Sequence, residues 1–329
     1  IVNIAIHCFG RIGRLVFRMG FKEKGFNFVA INDLTDAKTL AHLLKRDSVH
    51  GTFDAEVEAG QDYIRVGGKK VAILAEKDLA KLPWKALDID IVVESTGKFT
   101  KKEELEQHIK SGAKKVLLSA PGKGGDVKTI VMGANQNEAK GLNIISNASC
   151  TTNSLVPVVQ VLEKEFGIEA GFMTTVHAYT NDQRLLDLPH TDLRRGRSAA
   201  VNIIPTSTGA AKAVGEVFAN MKGKMDGLAF RVPVPCGSIT DFTCIVRKAA
   251  TAEEVNAAVK KASETYLKGI LQYSQEPLVS SDIIGSTYSS IFDSELTKAN
   301  GKLVKVCAWY DNEWGFSARM IDMLKLMSK

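Results

Sequence analysis

The block Ser146-Asn147-Ala148-Ser149-Cys150-Thr151-Thr152-Asn153 places a cysteine where an apolar run ends and a helical pattern begins. Unpaired amides and the dipole at a helix start favour a thiolate, which is expected to lower the Cys150 pKa from about 8.5 toward neutrality. That is a position for a nucleophile. A buried structural cysteine is the alternative, and the flanking hydroxyls suit it less well. His177 closes a second apolar run and opens His177-Ala178-Tyr179-Thr180-Asn181-Asp182, a strand entering a loop, where it can serve as a base or as a hydrogen-bonded core residue. Spacing alone does not bring it to Cys150.

Anion donors come next. Arg194-Arg195-Gly196-Arg197 and Arg231 offer guanidinium groups to phosphate oxygens, as do the hydroxyls and amides of Thr206-Ser207-Thr208-Gly209-Ala210-Ala211-Lys212 ahead of a helix. Arginine clusters also form solvated faces and subunit contacts. Arg231 differs because it interrupts the apolar run Leu228-Ala229-Phe230-Arg231-Val232-Pro233, and a buried guanidinium requires an anion or an ion-pair partner. Near the N-terminus, Cys8-Phe9-Gly10-Arg11-Ile12-Gly13 reads either as a degenerate dinucleotide fingerprint with cysteine in place of its first glycine or as a plain strand-to-helix turn, and Asp33 tips the reading toward the nucleotide. Gly10 would admit a pyrophosphate to the backbone and Gly13 would allow close helix packing. Asp33 ends the following strand, where a carboxylate accepts from the adenosine ribose and repels the extra phosphate of NADP. No His, Cys or acid group has metal-ligand spacing.

These residues need a scaffold, and the apolar pattern supplies one. Residues 2–6, 28–31, 89–93, 116–118, 130–132 and 144–145 read as buried strands, with a helix carrying Ile12, Leu15, Val16 and Met19 between the first two. Several end in small polar residues, as parallel strands with ligand loops at their C-terminal ends do. After residue 149 the rhythm changes to an apolar helix from Leu155 to Phe166, which Pro157 should bend, and longer strands at 171–179, 227–234, 238–247 and 303–310. Thr251 and Glu254 form a capping box for a helix over 252–268 that Gly269 should end. The expected organisation is an α/β domain over 1–149, an α+β domain over 150–314 with a mixed or antiparallel sheet, and a final helix, 315–329, packing back on the first.

Composition limits the function classes. The 329 residues suffice for about two domains, and 45% hydrophobic with 24% charged residues is ordinary for a globular chain. The +6 charge is dispersed, so nucleic acid is not expected as the main partner. Five cysteines without a C-x-x-C pair are expected to be reduced thiols. With no apolar run near 18 residues and no signal-peptide pattern, the chain is expected in the cytoplasm and off the membrane.

Five segments together, Phe9-Gly10-Arg11-Ile12-Gly13-Arg14, residues 146–153, residues 177–183, residues 202–212 and Trp309-Tyr310-Asp311-Asn312-Glu313-Trp314-Gly315, closely resemble phosphorylating glyceraldehyde-3-phosphate dehydrogenases. The resemblance spans the chain in order. It implies a Rossmann-type NAD-binding domain, a catalytic and oligomerisation domain, and a homotetramer that turns glyceraldehyde 3-phosphate and inorganic phosphate into 1,3-bisphosphoglycerate in glycolysis. Erythrose-4-phosphate dehydrogenase is the alternative within the same chemistry; a nucleic-acid-binding or redox-sensing role is a further one. Carried over residue by residue, it makes Cys150 the nucleophile and His177 the base. It assigns Thr180 and Arg231 to the substrate phosphate, with Asp182 orienting that arginine, and Ser149, Thr151, Arg195, Thr208 and Gly209 to the attacking phosphate. Gly10, Arg11 and Ile12 match the pyrophosphate turn, Asp33 the ribose contact, Lys77 and Ser119 further cofactor contacts, and Asn312 the nicotinamide amide. Leu188-Pro189 matches the NAD-preferring form. The chain departs from the family pattern at His7-Cys8, where it has Asn-Gly, at Lys77, often arginine, and at Phe316, usually tyrosine. Cys8 is expected to crowd or strain the pyrophosphate turn.

Overall fold

The computed structural model describes all 329 residues, which form two compact units, Ile1–Ile130 with Gln136–Ala148 and Ser317–Lys329, and Val131–Asn135 with Ser149–Phe316.

The first unit is built on β1 (Val2–His7), α1 (Arg11–Gly20), β2 (Phe26–Asn32), α2 (Ala37–Lys45), β3 (Val57–Ala59), β4 (Tyr63–Val66), β5 (Lys69–Leu74), β6 (Ile91–Glu94), α3 (Lys102–Lys110), β7 (Lys115–Leu118), β8 (Lys128–Thr129) and β9 (Ile144–Ser146). Its nine strands lie in the order β3-β4-β5-β2-β1-β6-β7-β9-β8. All pairings from β5 to β8 are parallel. The strands are continuous apolar runs because both faces are covered: Ile4, Ala5 and Ile6 of β1, Val92 and Val93 of β6 and Val116 to Leu118 of β7 are fully buried. After β1 the chain builds outward through β2 on one side, then returns to lay β6 on the other. The order therefore reverses beside β1, and the crevice outside the strand ends there is where ligands bind in open parallel sheets.

Two readings of this half differ from the structure. The short β3, β4 and β5 form an antiparallel meander on the sheet edge that apolar periodicity does not reveal. The strand expected at 130–132 lies instead at Lys128–Thr129. Past Ile130 the ladder stops because the Val131 amide donates to the Asn135 side chain at 2.8 Å, so Ile130 and Val131 are buried without being strand.

The second unit comprises α4 (Cys150–Glu165), β10 (Ile168–Ala178), β11 (Ile204–Ser207), α5 (Ala210–Val217), β12 (Met225–Val232), β13 (Ser238–Val246), α6 (Ala252–Glu264), β14 (Leu271–Ser274), β15 (Ser290–Asn300) and β16 (Leu303–Tyr310). Its mixed seven-stranded sheet runs β11-β12-β10-β13-β16-β15-β14, with β10 parallel to β12 and antiparallel to β13. Helix α4 packs on this sheet and runs uninterrupted through Pro157. The Thr251–Glu254 capping box forms as expected, but α6 ends at Glu264 rather than at Gly269. Thr265 leaves the helix with its hydroxyl on the Lys261 carbonyl at 2.6 Å, and the chain turns there to bury Leu267.

The last helix, α7 (Trp314–Met327), begins in the second unit and ends in the first. Met320, Met323 and Leu324 are fully buried, and Lys115 and Glu23 hold its end through the Met327 carbonyl and Lys325. No helix is long and apolar enough to cross a membrane.

Candidate active site

Helix α4 starts at Cys150. Ser149 caps it, its hydroxyl accepting from the Thr152 amide at 3.1 Å, so the thiol projects from the first turn among free amides. The half-buried Cys150 Sγ lies 3.4 Å from His177 Nε2. His177, 4% exposed, stands near the end of β10, and the parallel register sets it directly beside Arg231 of β12.

The hydrogen bonds assign the imidazole tautomer. His177 Nδ1 lies 2.7 Å from the Ala178 carbonyl, and Arg231 Nη1 reaches the same oxygen at 3.1 Å. An oxygen with two lone pairs accepts from both, so Nδ1 carries the hydrogen and the Arg231 nitrogen 3.0 Å away is a second donor beside it. Nε2 is left as an acceptor facing Sγ. Tyr310 packs edge-on against the imidazole, ring centroids 5.9 Å apart, and its hydroxyl bonds those of Thr151 and Thr175, each at 2.9 Å.

The electrostatics correct the expectation of a lowered thiol pKa. Burial pushes the Cys150 thiol up, against the opposing pull of Arg231 and Thr151. Burial and then the Arg231 charge push His177 down to about 3. The two groups titrate as a pair, and proton transfer from Sγ to Nε2 creates thiolate and imidazolium together. Burial also raises the other four cysteines, Cys244 to about 12 and Cys307 to about 11. None of the five forms a disulfide.

Around this pair the structure gathers anion donors. Arg231 also points Nη1 at the Thr180 hydroxyl, 3.4 Å away, but has no carboxylate partner, and its buried Nε donates to nothing. Gln183 accepts from the Thr180 amide and leaves its own buried Nε2 without an acceptor. A half-buried cation with a buried, unanswered Nε and an unanswered amide donor, both beside Thr180, fit an anionic substrate group. Asp182 does not orient Arg231. It pairs instead with Arg195 at 2.5 Å, with His190 Nε2 3.4 Å from its other oxygen. Arg195 is further fixed by Thr206 and by the Ser207 carbonyl, and its charge bears on both His177 and Arg231. Thr208 caps the Ala210 amide, and Gly209 at the start of α5 faces open space. Thr151 is buried with its hydroxyl engaged by Tyr310.

Asn312 is held by residues that the sequence reading missed. Its side-chain oxygen accepts from the Gly237 amide at 3.2 Å and the Ser238 hydroxyl at 2.9 Å, while that hydroxyl accepts from Ala178 N–H. Both donors fall on Oδ1, so the amide NH₂ is the group left to bind a carbonyl. Gly237 has φ +89°, and a β-carbon there would lie 2.3 Å from the Ser280 carbonyl. The only sequence signal was Gly237 in a Pro-Cys-Gly turn before a strand.

In the first unit, Gly10, Asp33 and Ser119 stand past the C-terminal ends of β1, β2 and β7. Gly10 caps α1, whose first residues are Arg11 and Ile12. Gly13 allows the close approach expected of it, since a β-carbon would sit 2.4 Å from the Cys8 carbonyl. The Asp33 oxygens accept from the Phe9 amide at 2.8 Å and the Thr35 amide at 3.0 Å, which braces the turn and leaves lone pairs for ribose hydroxyls. Arg11 forms a two-pronged pair with Asp47 that nothing in the sequence pattern signalled. Burial opposes ionisation of Asp47, but the His50 amide, Arg11 and the Val49 amide outweigh it and hold its pKa at about 2. Exposed Lys77 rims a cleft of about 460 Å³ whose wall includes Phe99. These groups fit a dinucleotide. Cys8 has φ +74°, one of three non-glycine residues in the left-handed region, and its sulfur lies 3.6 Å from where a Gly10 β-carbon would be. The backbone strain expected of Cys8 is present, and its sulfur lies at ordinary contact distance from Gly10.

Behind the turn, His7 Nδ1 and His108 Nε2 lie 3.0 and 3.1 Å from the same oxygen of Glu94. The three atoms are spaced as metal ligands would be. However, the Trp84 indole N–H donates to His108 Nδ1 at 3.0 Å, which puts the remaining hydrogen on Nε2 and spends it on Glu94. The cluster is a hydrogen-bond network.

The family model "Glyceraldehyde 3-phosphate dehydrogenase, NAD binding domain" matches residues 2–102, and "Glyceraldehyde 3-phosphate dehydrogenase, C-terminal domain" matches residues 149–312. The chain is 56% identical over 325 residues to the glyceraldehyde-3-phosphate dehydrogenase of Geobacillus stearothermophilus, covering 98% of this chain and 97% of that one. It is 57% identical over 331 residues to that of Thermotoga maritima, covering 99% of each.

Proposed function

Because this chain belongs to the glyceraldehyde-3-phosphate dehydrogenase family, we propose that Cys150 and His177 are the pair on which it oxidises its aldehyde. It is an NAD-dependent oxidoreductase of glycolysis, and the relatives' names do not favour the erythrose-4-phosphate alternative. The observation that carries the site is the 3.4 Å contact between Sγ and the acceptor nitrogen of His177, beside unanswered donors.

Sγ passes its proton to Nε2 and attacks the aldehyde carbon, forming a thiohemiacetal. The resulting negative charge sits near Arg231 and the α4 amides until Nε2 returns its proton to that oxygen, which gives the thiohemiacetal hydroxyl and restores the neutral imidazole. NAD, held by the residues named below, would supply the hydride acceptor for this carbon. His177 takes the hydroxyl proton as the thioester forms, with its orientation held by Ala178 and Tyr310. Inorganic phosphate, placed by Arg195, Ser149, Thr151, Thr208 and Gly209, then displaces the Cys150 thiolate and yields the acyl phosphate. Arg231 and Thr180 hold the substrate's own phosphate. Gly10, Arg11, Ile12, Asp33, Lys77, Ser119 and Asn312 hold the cofactor. A homotetramer working in the cytoplasm completes the reading.

The test follows NADH absorbance with glyceraldehyde 3-phosphate or erythrose 4-phosphate, each with and without phosphate. Phosphate-dependent oxidation of the first, abolished in Cys150→Ser, is expected. Activity that survives in Cys150→Ser, or iodoacetate inactivation that labels another cysteine first, would overturn the assignment.

A further inference from the structure

The two residues at which the chain leaves its family's turn, His7 and Cys8, are adjacent, and the structure ties them to one framework. Cys8 occupies a left-handed conformation that strains an L-residue and persists only where neighbours over-determine it. Its amide donates to the Asn32 carbonyl at 2.8 Å, and its carbonyl accepts the Ser95 hydroxyl at 2.7 Å. That hydroxyl also lies 3.0 Å from the His7 carbonyl, which accepts the Ser95 amide as well. The backbone is thus held from β2 and from the residue after β6.

The His7 side chain adds a third hold. It is 6% exposed, bonds Glu94 at the end of β6, meets His108 of α3 edge-on, and stacks on Phe99 at 5.8 Å and 29°. Glu94 is fixed in turn by the Thr96 amide and hydroxyl. Phe99 is also in the wall of the cleft rimmed by Lys77. One imidazole therefore locks the end of β1 and packs on a wall of that cleft.

We propose that His7 is a positioning residue that holds Cys8 in the left-handed turn required for dinucleotide binding, so that the two departures from the family pattern act as a coupled pair. Glycine at position 8 enters that conformation without support, and His7 is then dispensable to the turn. The coupling takes the nucleotide reading of the β1 turn as its premise for ligand affinity, but not for its effect on the folded chain.

A double-mutant cycle over His7→Ala and Cys8→Gly tests it, with two readouts: calorimetric affinity for ADP-ribose, which lacks the nicotinamide, and urea stability of the ligand-free protein. His7→Ala is expected to weaken ADP-ribose binding about 5- to 30-fold when residue 8 is cysteine and less than about 2-fold when it is glycine. The loss of stability should likewise be smaller in the glycine background. His7→Asn, which can keep a donor to Glu94, should recover part of the affinity and covers the case in which the alanine protein does not fold. Equal losses in both backgrounds, in affinity and in stability, would overturn the proposal. Absence of ADP-ribose binding by the unmodified protein would instead overturn the nucleotide reading, with the stability cycle still deciding the coupling.

Discussion

At the scale of single residues, the chemistry depends on which nitrogen of His177 carries a hydrogen, and two donors converging on the Ala178 carbonyl decide it. His177→Asn should slow oxidation by roughly 10² to 10⁴ fold, the range for loss of a general base, with the protein still folded. Unchanged turnover and an unchanged pH profile of Cys150 alkylation would return His177 to a structural role. Cys8 yields an opposite expectation, a gain. Cys8→Gly removes both the φ +74° strain and the sulfur beside Gly10, and should tighten NAD by about 0.5 to 2 kcal/mol with little change in turnover at saturating cofactor. Calorimetric titration of NAD into both proteins is the measurement, and equal or weaker binding in the glycine variant refutes it. Cys150, His177 and Arg231 could be singled out in the sequence because each breaks a local pattern: a thiol at a helix start, an imidazole at a strand end, a cation in an apolar run. The partners of those residues could not. Tyr310, Ser238 and Asp47 act through contacts between segments distant in the chain, and Asp182 was matched to the wrong arginine because spacing does not reveal that Arg195 lies nearer.

At the scale of elements, the ends of β1 and β6 are joined to α3 through one carboxylate. Burial works against ionisation of Glu94, yet hydrogen bonds from His108, His7 and Thr96 outweigh it and hold its pKa at about 2, below the ordinary 4.5. A depressed carboxylate stabilises the fold fully above its unfolded pKa and loses that contribution as pH falls through the folded value. The Glu94 contribution should therefore be complete above about pH 4.5 and disappear toward about pH 2. Glu94→Gln should be less stable at neutral pH, with the gap to the unmodified protein narrowing as urea midpoints are taken down to about pH 3. A gap independent of pH would mean that Glu94 contributes by packing alone. Elements with strong periodicity, such as β1, α1, β12, β13 and β16, could be read close to their observed bounds. The β3–β5 meander could not, since strands of three to six residues on a sheet edge carry too few buried positions to print a pattern. The end of α6 was misplaced because a threonine hydroxyl stopped the helix before the glycine did.

At the scale of the whole molecule, the second unit carries an uncovered apolar segment. Leu185, Leu186, Leu188, Leu193, Val201 and Ile203 are 61–85% exposed within nineteen residues of chain, more than single surface residues explain. The proposed tetramer would bury it between copies. Sedimentation equilibrium should give a mass near four times 35.7 kDa, and Leu186→Asp with Leu193→Asp should shift it to smaller species. A monomer at micromolar concentration would exclude the tetramer.

The path of the chain through its two units also constrains the order of its synthesis. Residues leave the ribosome in chain order, and domains made first ordinarily fold first. Here the unit that begins at Ile1 also needs Ser317–Lys329, including the buried Met320, Met323 and Leu324, whereas the other unit has all of its parts by Phe316. The unit begun first on the ribosome is therefore the one completed last, and until the final helix emerges its apolar seat for that helix is open to solvent or to a chaperone.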